Sequence, residues 1–218
     1  PDDGQSHAIN KGFLKSTGEI LGWLNSDDTF VDNACLLVVN QAFLSSGADF
    51  VVGNFYCVDE DDKQLECSSL INTLDNSAFQ KKLNLLPKYD LITQPACLFK
   101  SDVWEKYGID QSYHYAMDWK LWISAYKDDC HFYKIDKFIA NNRLHEETKT
   151  LSGKPERFRE ILRIFRHFDT YCFNRLYFGI YYWLLRVEKI KWLNPLVTLV
   201  IGLGKEIRRR LLQLFRAY

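Results

Sequence analysis

The chain has no C-x-x-C pair, no internal repeat, no low-complexity tract and no net charge, with 28 basic residues set against 28 acidic ones. It also has no apolar run near the ~20 residues that a membrane-spanning helix requires. Each absence excludes something. Cys35, Cys57, Cys67, Cys97, Cys130 and Cys172 sit mostly in apolar stretches without metal-ligand spacing, so they read as reduced core thiols of a cytosolic protein. A zinc ribbon and a disulfide framework are set aside. The longest apolar stretch, 193–204 (LNPLVTLVIGLG), is interrupted by Pro195, Gly202 and Gly204 and is too short to span a bilayer. Pro1 stands where an initiator Met would, and no signal peptide follows, so the chain reads as a fragment or a processed product.

The zero net charge hides an asymmetry. Residues 151–218 carry +9 and residues 1–150 carry −9. With 47% hydrophobic residues the chain can pack a core, and its 15% aromatics are concentrated late. An acidic body and a basic, aromatic tail suggest two tasks.

Alternating helical and strand-like patterns run through the acidic body. Residues 5–16 are predicted helical, with Ser6 as a cap and Gly18 as the break. A strand is predicted over 19–25, ended by Ser26-Asp27-Asp28, and a helix over 33–46, capped by Asp32 and stopped by Gly47. Residues 49–58 (DFVVGNFYCV) read as a strand, 59–64 as a turn and 65–70 as a returning hairpin strand. Helices follow over 75–86, 101–108 and 118–127, with strands over 93–100 and 130–139. This order predicts an α/β layer architecture, in which ligands gather at the carboxyl ends of strands.

The stretch LGWLNSDDTF, residues 21–30, carries the chemical signal. A buried-type run ends in two adjacent carboxylates, Asp27 and Asp28. Like charges so placed are tolerated in water or beside a cation. An exposed turn and a metal site at a strand end both explain the pair, and its position in an α/β alternation favours the site.

Three stretches in order resemble the family-2 glycosyltransferases of GT-A fold. DDGQSHAINKGFLKSTGEILGWLNSDDTF resembles the segment in which a helix with Gln-Ser and Asn-x-Gly precedes an acidic metal motif. TQPACLFKSDVWEKYGIDQSYHYAMDWKLW resembles the acceptor-side segment, and NNRLHEETKT the Arg-x-His segment beyond it. The resemblance covers roughly residues 1–160. It implies a GT-A-like, Rossmann-type mixed sheet flanked by helices, N-terminally truncated, followed by a helical C-terminal appendage over 161–218. The βαβ segment that binds the nucleotide base in such domains is expected upstream of Pro1.

The same resemblance implies roles. Asp28 is expected to bind a divalent cation, Mn²⁺ or Mg²⁺, with His145 completing the metal site. Asp27, Asn10 and Gln94 are expected around the nucleotide-sugar donor. Asp118 is expected to be the general base that deprotonates the acceptor hydroxyl in an inverting displacement; as a purely structural residue it would cap the helix 119–127. The family often has Glu-Asp where this chain has Met117-Asp118. Trp119 and Trp122 could wall a sugar ring or pack in the core. A cation would neutralise charge on the departing diphosphate, which is why carboxylates are needed here.

Residues 171–192 (YCFNRLYFGIYYWLLRVEKIKW) suit an interfacial helix on an anionic bilayer, or a helical subdomain. Membrane contact would suit a saccharide or lipid-linked saccharide acceptor, and a cytoplasmic location on the inner face of the membrane in cell-surface polysaccharide or glycolipid synthesis. Nucleic acid is not an expected partner. Two other readings stand beside this one: a nucleotidyltransferase, and a truncated, non-catalytic membrane-associated binding module.

Overall fold

The computed structural model describes residues 1–67, 69–145, 155–168, 179, 180 and 183. The chain divides into two compact units, Pro1–Ser152 and Gly153–Tyr218.

The first unit is built on one mixed sheet. Its strands are β1 (Ile20–Leu21), β2 (Thr29–Phe30), β3 (Phe50–Val58), β4 (Gln64–Leu65), β5 (Cys97–Lys100) and β6 (Phe132–Arg143), in the order β1-β5-β3-β6-β2, with β4 paired to β3. β3 runs parallel to β6 and antiparallel to β5 and β4, while β1 pairs antiparallel with β5 and β2 with β6. β3 is buried along nearly its whole length, as its Val-, Phe- and Tyr-rich run predicts for a central strand. The helices are α1 (Gln5–Lys15), α2 (Cys35–Ser46), α3 (Asn76–Lys82), α4 (Ser101–Tyr107) and α5 (Met117–Lys127).

An aromatic cluster fills the core where β3, β5, β6 and α5 meet. Phe50 stacks on Phe132 with centroids 4.2 Å apart, and Trp122 meets Phe50 edge-on at 5.6 Å. Trp23 stacks with Trp122 at 6.1 Å, and Phe13 and Phe99 close the group edge-on. Such geometries add to the burial that drives the core together.

The β3–β6 ladder is irregular at its middle. Val52 is paired with Lys134 but Asn54 with Phe138, so β6 carries extra residues opposite Gly53. A Cβ on Gly53 would lie 2.5 Å from Ile139 Cγ1, so the close approach of the two strands requires glycine. Beside the bulge Lys134 is buried, 2% exposed. Its ammonium donates to Asn54 Oδ1 and, at 2.7 Å, to the Ile135 carbonyl, while Asn54 Nδ2 donates to Asp136. Burial pushes Lys134 down to about 8, against the pull of Asp136.

Several predicted boundaries shift. The strand over 19–25 shrinks to Ile20–Leu21, because only that stretch pairs with β5. Ser6 is not the cap of α1: Gly4 holds that position, and the Ser6 hydroxyl donates to the Tyr113 carbonyl at 2.6 Å, tying the helix to the loop before α5. Asp32 precedes α2 by a turn, its carboxylate accepting from Ala34 N at 2.7 Å. Gly47 ends α2 in the left-handed conformation at φ 65°, as predicted. The return strand of the hairpin is only two residues long, and the helix over 75–86 is α3, capped by Asp75, followed by a 3₁₀ turn. Conversely β6 runs on to Arg143, four residues past its predicted end, because β3 and β2 both continue to pair with it.

In the second unit the described helix is α6, Pro155–His167, which buries Phe158, Ile161, Ile164 and Phe165 at helical spacing. Pro155 at its start matches the preference for proline in a first turn. The interfacial segment expected over 171–192 lies outside the described residues, apart from Gly179, Ile180 and Trp183. Among the described residues no helix is long and apolar enough to cross a membrane.

Candidate active site

The acidic pair lies in a turn, and the turn is part of a constructed site. Asp28 N donates to the Asn25 carbonyl at 3.2 Å, closing Asn25–Asp28, and the chain then enters β2. The pair is therefore set between two short strands rather than at the end of a long one. β2 pairs with β6, and this brings Arg143 and His145 to the turn.

Asp28 is 7% exposed. Its Oδ1 accepts from the Arg143 backbone N–H at 3.1 Å and its Oδ2 from Asn25 Nδ2 at 2.8 Å. Burial pushes its pKa up, the Arg143 and Asn25 hydrogen bonds pull it back, and the neighbouring charge of Asp27 pushes it up again. A carboxylate so placed is braced by two N–H donors.

Asp27 points the other way. Its Oδ2 stands 3.0 Å from His145 Nε2. His145 was expected beside Asp28; the structure sets it on Asp27, because Asp28 is turned inward onto Asn25 and Arg143. The Arg143 side chain locks the arrangement, donating from Nε to the Asp27 carbonyl at 2.9 Å and from its two terminal nitrogens to the Asp59 carbonyl and the Asp62 carboxylate.

Asn25 is the hub on the other side. Its Oδ1 accepts from Gln5 Nε2 at 2.6 Å, and its Nδ2 also donates to Gln94 Oε1 at 3.2 Å. Gln94 Nε2 donates in turn to the Trp23 carbonyl. Gln94, which was expected near the donor, is thus joined to Asp28 through Asn25. Sequence reasoning passed over Asn25, although its place three residues before Asp28 suits an amide that closes a turn.

Asn10 is not in this network. Its amide donates to the Ile109 carbonyl at 2.7 Å, and its carbonyl accepts from Ile109 N and Trp104 Nε1, both at 3.0 Å. It fastens α1 to the end of α4.

Asp118 lies half-buried in the first turn of α5, where the helix dipole favours a carboxylate. It is not the N-cap, which is Ala116; its Oδ1 accepts from Trp119 N at 2.7 Å. Its charge adds to the burial that pushes the Cys97 thiol well up, which places it beside the strand that follows Gln94. Trp119 and Trp122 are 3% and 0% exposed, and Trp119 donates to the Leu86 carbonyl at 2.8 Å. Both are core residues rather than a wall for a sugar.

Carboxylate oxygens and an imidazole nitrogen are donor types that a divalent cation such as Mn²⁺ accepts. Among the described residues no three His, Cys, Asp or Glu side chains are grouped to hold an ion. Ions of this class are commonly held by one or two protein ligands, with substrate phosphates and water supplying the rest.

Residues 1–108 match the family model described as glycosyl transferase family 2. The chain carries a family-2 glycosyltransferase domain. The match ends before Asp118 and His145, so those residues rest on the structure and on the resemblance of their own segments. No curated protein sequence matches the chain. The crystal structure of S. aureus TarS 1–349 is similar at 12% identity with a TM-score of 0.53, covering 87% of this chain and 52% of that one. That of S. aureus TarS is similar at 12% identity with a TM-score of 0.50, covering 82% and 30%. A third, TarS 1–349 in complex with UDP-GlcNAc, matches at 16% identity over 75% and 46% with a TM-score of 0.49, too low to support a shared fold. The chain spans about half the length of the TarS 1–349 chain. The fold of this domain is GT-A-like, a curled mixed sheet flanked by helices.

Proposed function

We propose that the protein transfers a sugar from a nucleotide-sugar donor to a hydroxyl acceptor, with inversion and with the help of a divalent cation. The observation that carries this reading is the Asp27–His145 pair, held at 3.0 Å beside the buried carboxylate of Asp28. The turn carries both carboxylates, and the chain just past β6 brings His145 to Asp27.

In this reading Asp27 and His145 face the ion, and Asp28 supplies negative charge behind them. A bound cation would offset the charge that grows on the departing diphosphate. Asn25 and Arg143 keep the turn in one conformation, so the site is organised before the donor arrives. Asp118 takes the acceptor proton, and a single base suffices for one in-line displacement. The domain reading places catalysis in residues 1–160. The +9 charge of residues 151–218 and the aromatics over 171–192 support contact with an anionic membrane surface, and with it a lipid-linked acceptor in cell-surface polysaccharide or glycolipid synthesis.

Calorimetric titration of the chain with uridine, guanosine and cytidine diphosphates, each with and without Mn²⁺, tests the reading. Binding of one nucleotide that requires Mn²⁺ and is lost on chelation is expected. Equal affinity with and without the ion removes metal dependence, and no binding of any nucleotide removes donor recognition by this chain.

A further inference from the structure

We propose that Cys57 and Cys67 form a reversible disulfide that fastens the β3–β4 hairpin to itself and so clamps the loop on which Arg143 is anchored. Cys57 lies in β3 opposite Leu65 of β4, and Val58 opposite Gln64. Leu65 ends β4, and Cys67 follows it two residues on. The two thiols are in hydrogen-bonding contact, and both are free.

The two sulfurs have different environments. Cys57 is 6% exposed, and burial first, then the hydrogen bond and charge of Cys67, push its pKa up to about 12. Cys67 is only half-buried. The more accessible sulfur therefore meets an external oxidant first, and the buried one resolves the product. With a low-molecular-weight disulfide as the oxidant, the Cys67 thiolate attacks one of its sulfurs. The external S–S bond breaks, a Cys67 mixed disulfide forms, and one thiolate leaves and takes up a proton. Cys57 then gives up its proton and its sulfur attacks Cys67 Sγ. The mixed disulfide breaks, the Cys57–Cys67 bond forms, and the second external thiol leaves. Two protein thiols are oxidised and one external disulfide is reduced to two thiols.

The bond would close a loop holding the whole 58–66 segment. That segment contains the Asp59 carbonyl and the Asp62 carboxylate, the two acceptors of the Arg143 guanidinium. Arg143 in turn holds Asp27 through its side chain and Asp28 through its backbone N–H. Oxidation would therefore act one step away from the acidic turn. The consequence for catalysis rests on the function proposed above; the disulfide does not.

The test is chemical and needs no substrate. The full chain is equilibrated in glutathione buffers of graded oxidation, quenched with acid, alkylated, digested with trypsin and read by mass spectrometry. Cleavage after Lys63 separates the two cysteines, so a disulfide appears as two joined peptides. The Cys57–Cys67 pair is expected to accumulate with oxidation and to revert with dithiothreitol. In Cys57→Ser the glutathione adduct on Cys67 should rise about tenfold or more over the parent, because the resolving sulfur is gone. A stable Cys67 adduct in the parent with Cys57 alkylated, or Cys57 joined to a different cysteine, overturns the proposal. So does full alkylation of both thiols across the buffer series.

Discussion

His145 Nε2 and Asp27 Oδ2 stand 3.0 Å apart although 118 positions separate them in the chain. The pair exists because β6 continues past its predicted end and delivers His145 to the turn that carries Asp27. If it faces a cation, removing either member should weaken Mn²⁺ binding at least as much as loss of a supporting residue does, about 10–100-fold. The variants are Asp27→Asn and His145→Ala, and the measurement is the free Mn²⁺ signal in electron paramagnetic resonance, with no nucleotide present. Both variants should melt near the parent temperature, since the pair is partly open to solvent. Binding unchanged in both would leave the pair a surface ion pair.

Asn25 makes a different demand. It gives Asp28 one of its two amide donors and links it to Gln94 and Gln5. Asn25→Ala leaves a buried carboxylate oxygen without that donor, a loss worth about 1–3 kcal/mol. Urea denaturation at neutral pH should show a lower midpoint with unchanged slope. The pKa of Asp28 should also rise further, because the Asn25 hydrogen bond is one of the contacts that pull it down. A midpoint equal to the parent's would mean that water replaces Asn25 at no cost.

Lys134 sets the pH response of the sheet. Its folded pKa is about 8, against an ordinary value of 10.5. Between those values the unfolded chain keeps a proton that the folded chain has released. The unfolded state binds more protons there, so this group makes stability rise with pH from about 8 towards 10.5. Below that window Lys134 is charged in both states and contributes no slope. Lys134→Met should flatten the rise, read as the difference between the two melting-temperature profiles across that range. Parallel profiles would show that Lys134 keeps its proton in the fold.

Much of this molecule was legible from its residues. Alternating patterns placed the central strand, and the helices over 35–46 and 117–127 follow from apolar spacing and from Gly47. Adjacent carboxylates ending a hydrophobic run pointed to the turn that holds Asp27 and Asp28. The partners of those carboxylates were not legible, because pairing is a property of the sheet. Nothing local in the residues from Phe132 to Ile139 says that β6 pairs on to Arg143, or that a bulge opposite Gly53 admits a lysine to the interior. Ser6 misled for a related reason: its hydroxyl suits a cap, but a buried tertiary acceptor, the Tyr113 carbonyl, claims it.

The role proposed for Asp118 can be tested by separating chemistry from binding. Asp118 sits in the first turn of α5, bonded to Trp119 N, and near Cys97. The N-cap of that helix is Ala116, so Asp118 is not needed there as a cap. Asp118→Asn keeps the size and an oxygen to accept from Trp119 N, and loses a charge that favours the helix start by about 0.3–1 kcal/mol. Stability should fall by no more than that. Donor binding should be nearly unchanged, because a base acts on the acceptor proton in the transition state. In an active form of the enzyme, kcat should drop about 10²–10⁴-fold. Single-turnover transfer at saturating donor, beside a melting curve, measures both quantities. Turnover within about threefold of the parent is far short of a lost base and would remove Asp118 from the chemistry. A large loss of turnover with an equally large loss of stability would make Asp118 a residue of the helix start, and the proton would then have to go to another group near Gln94.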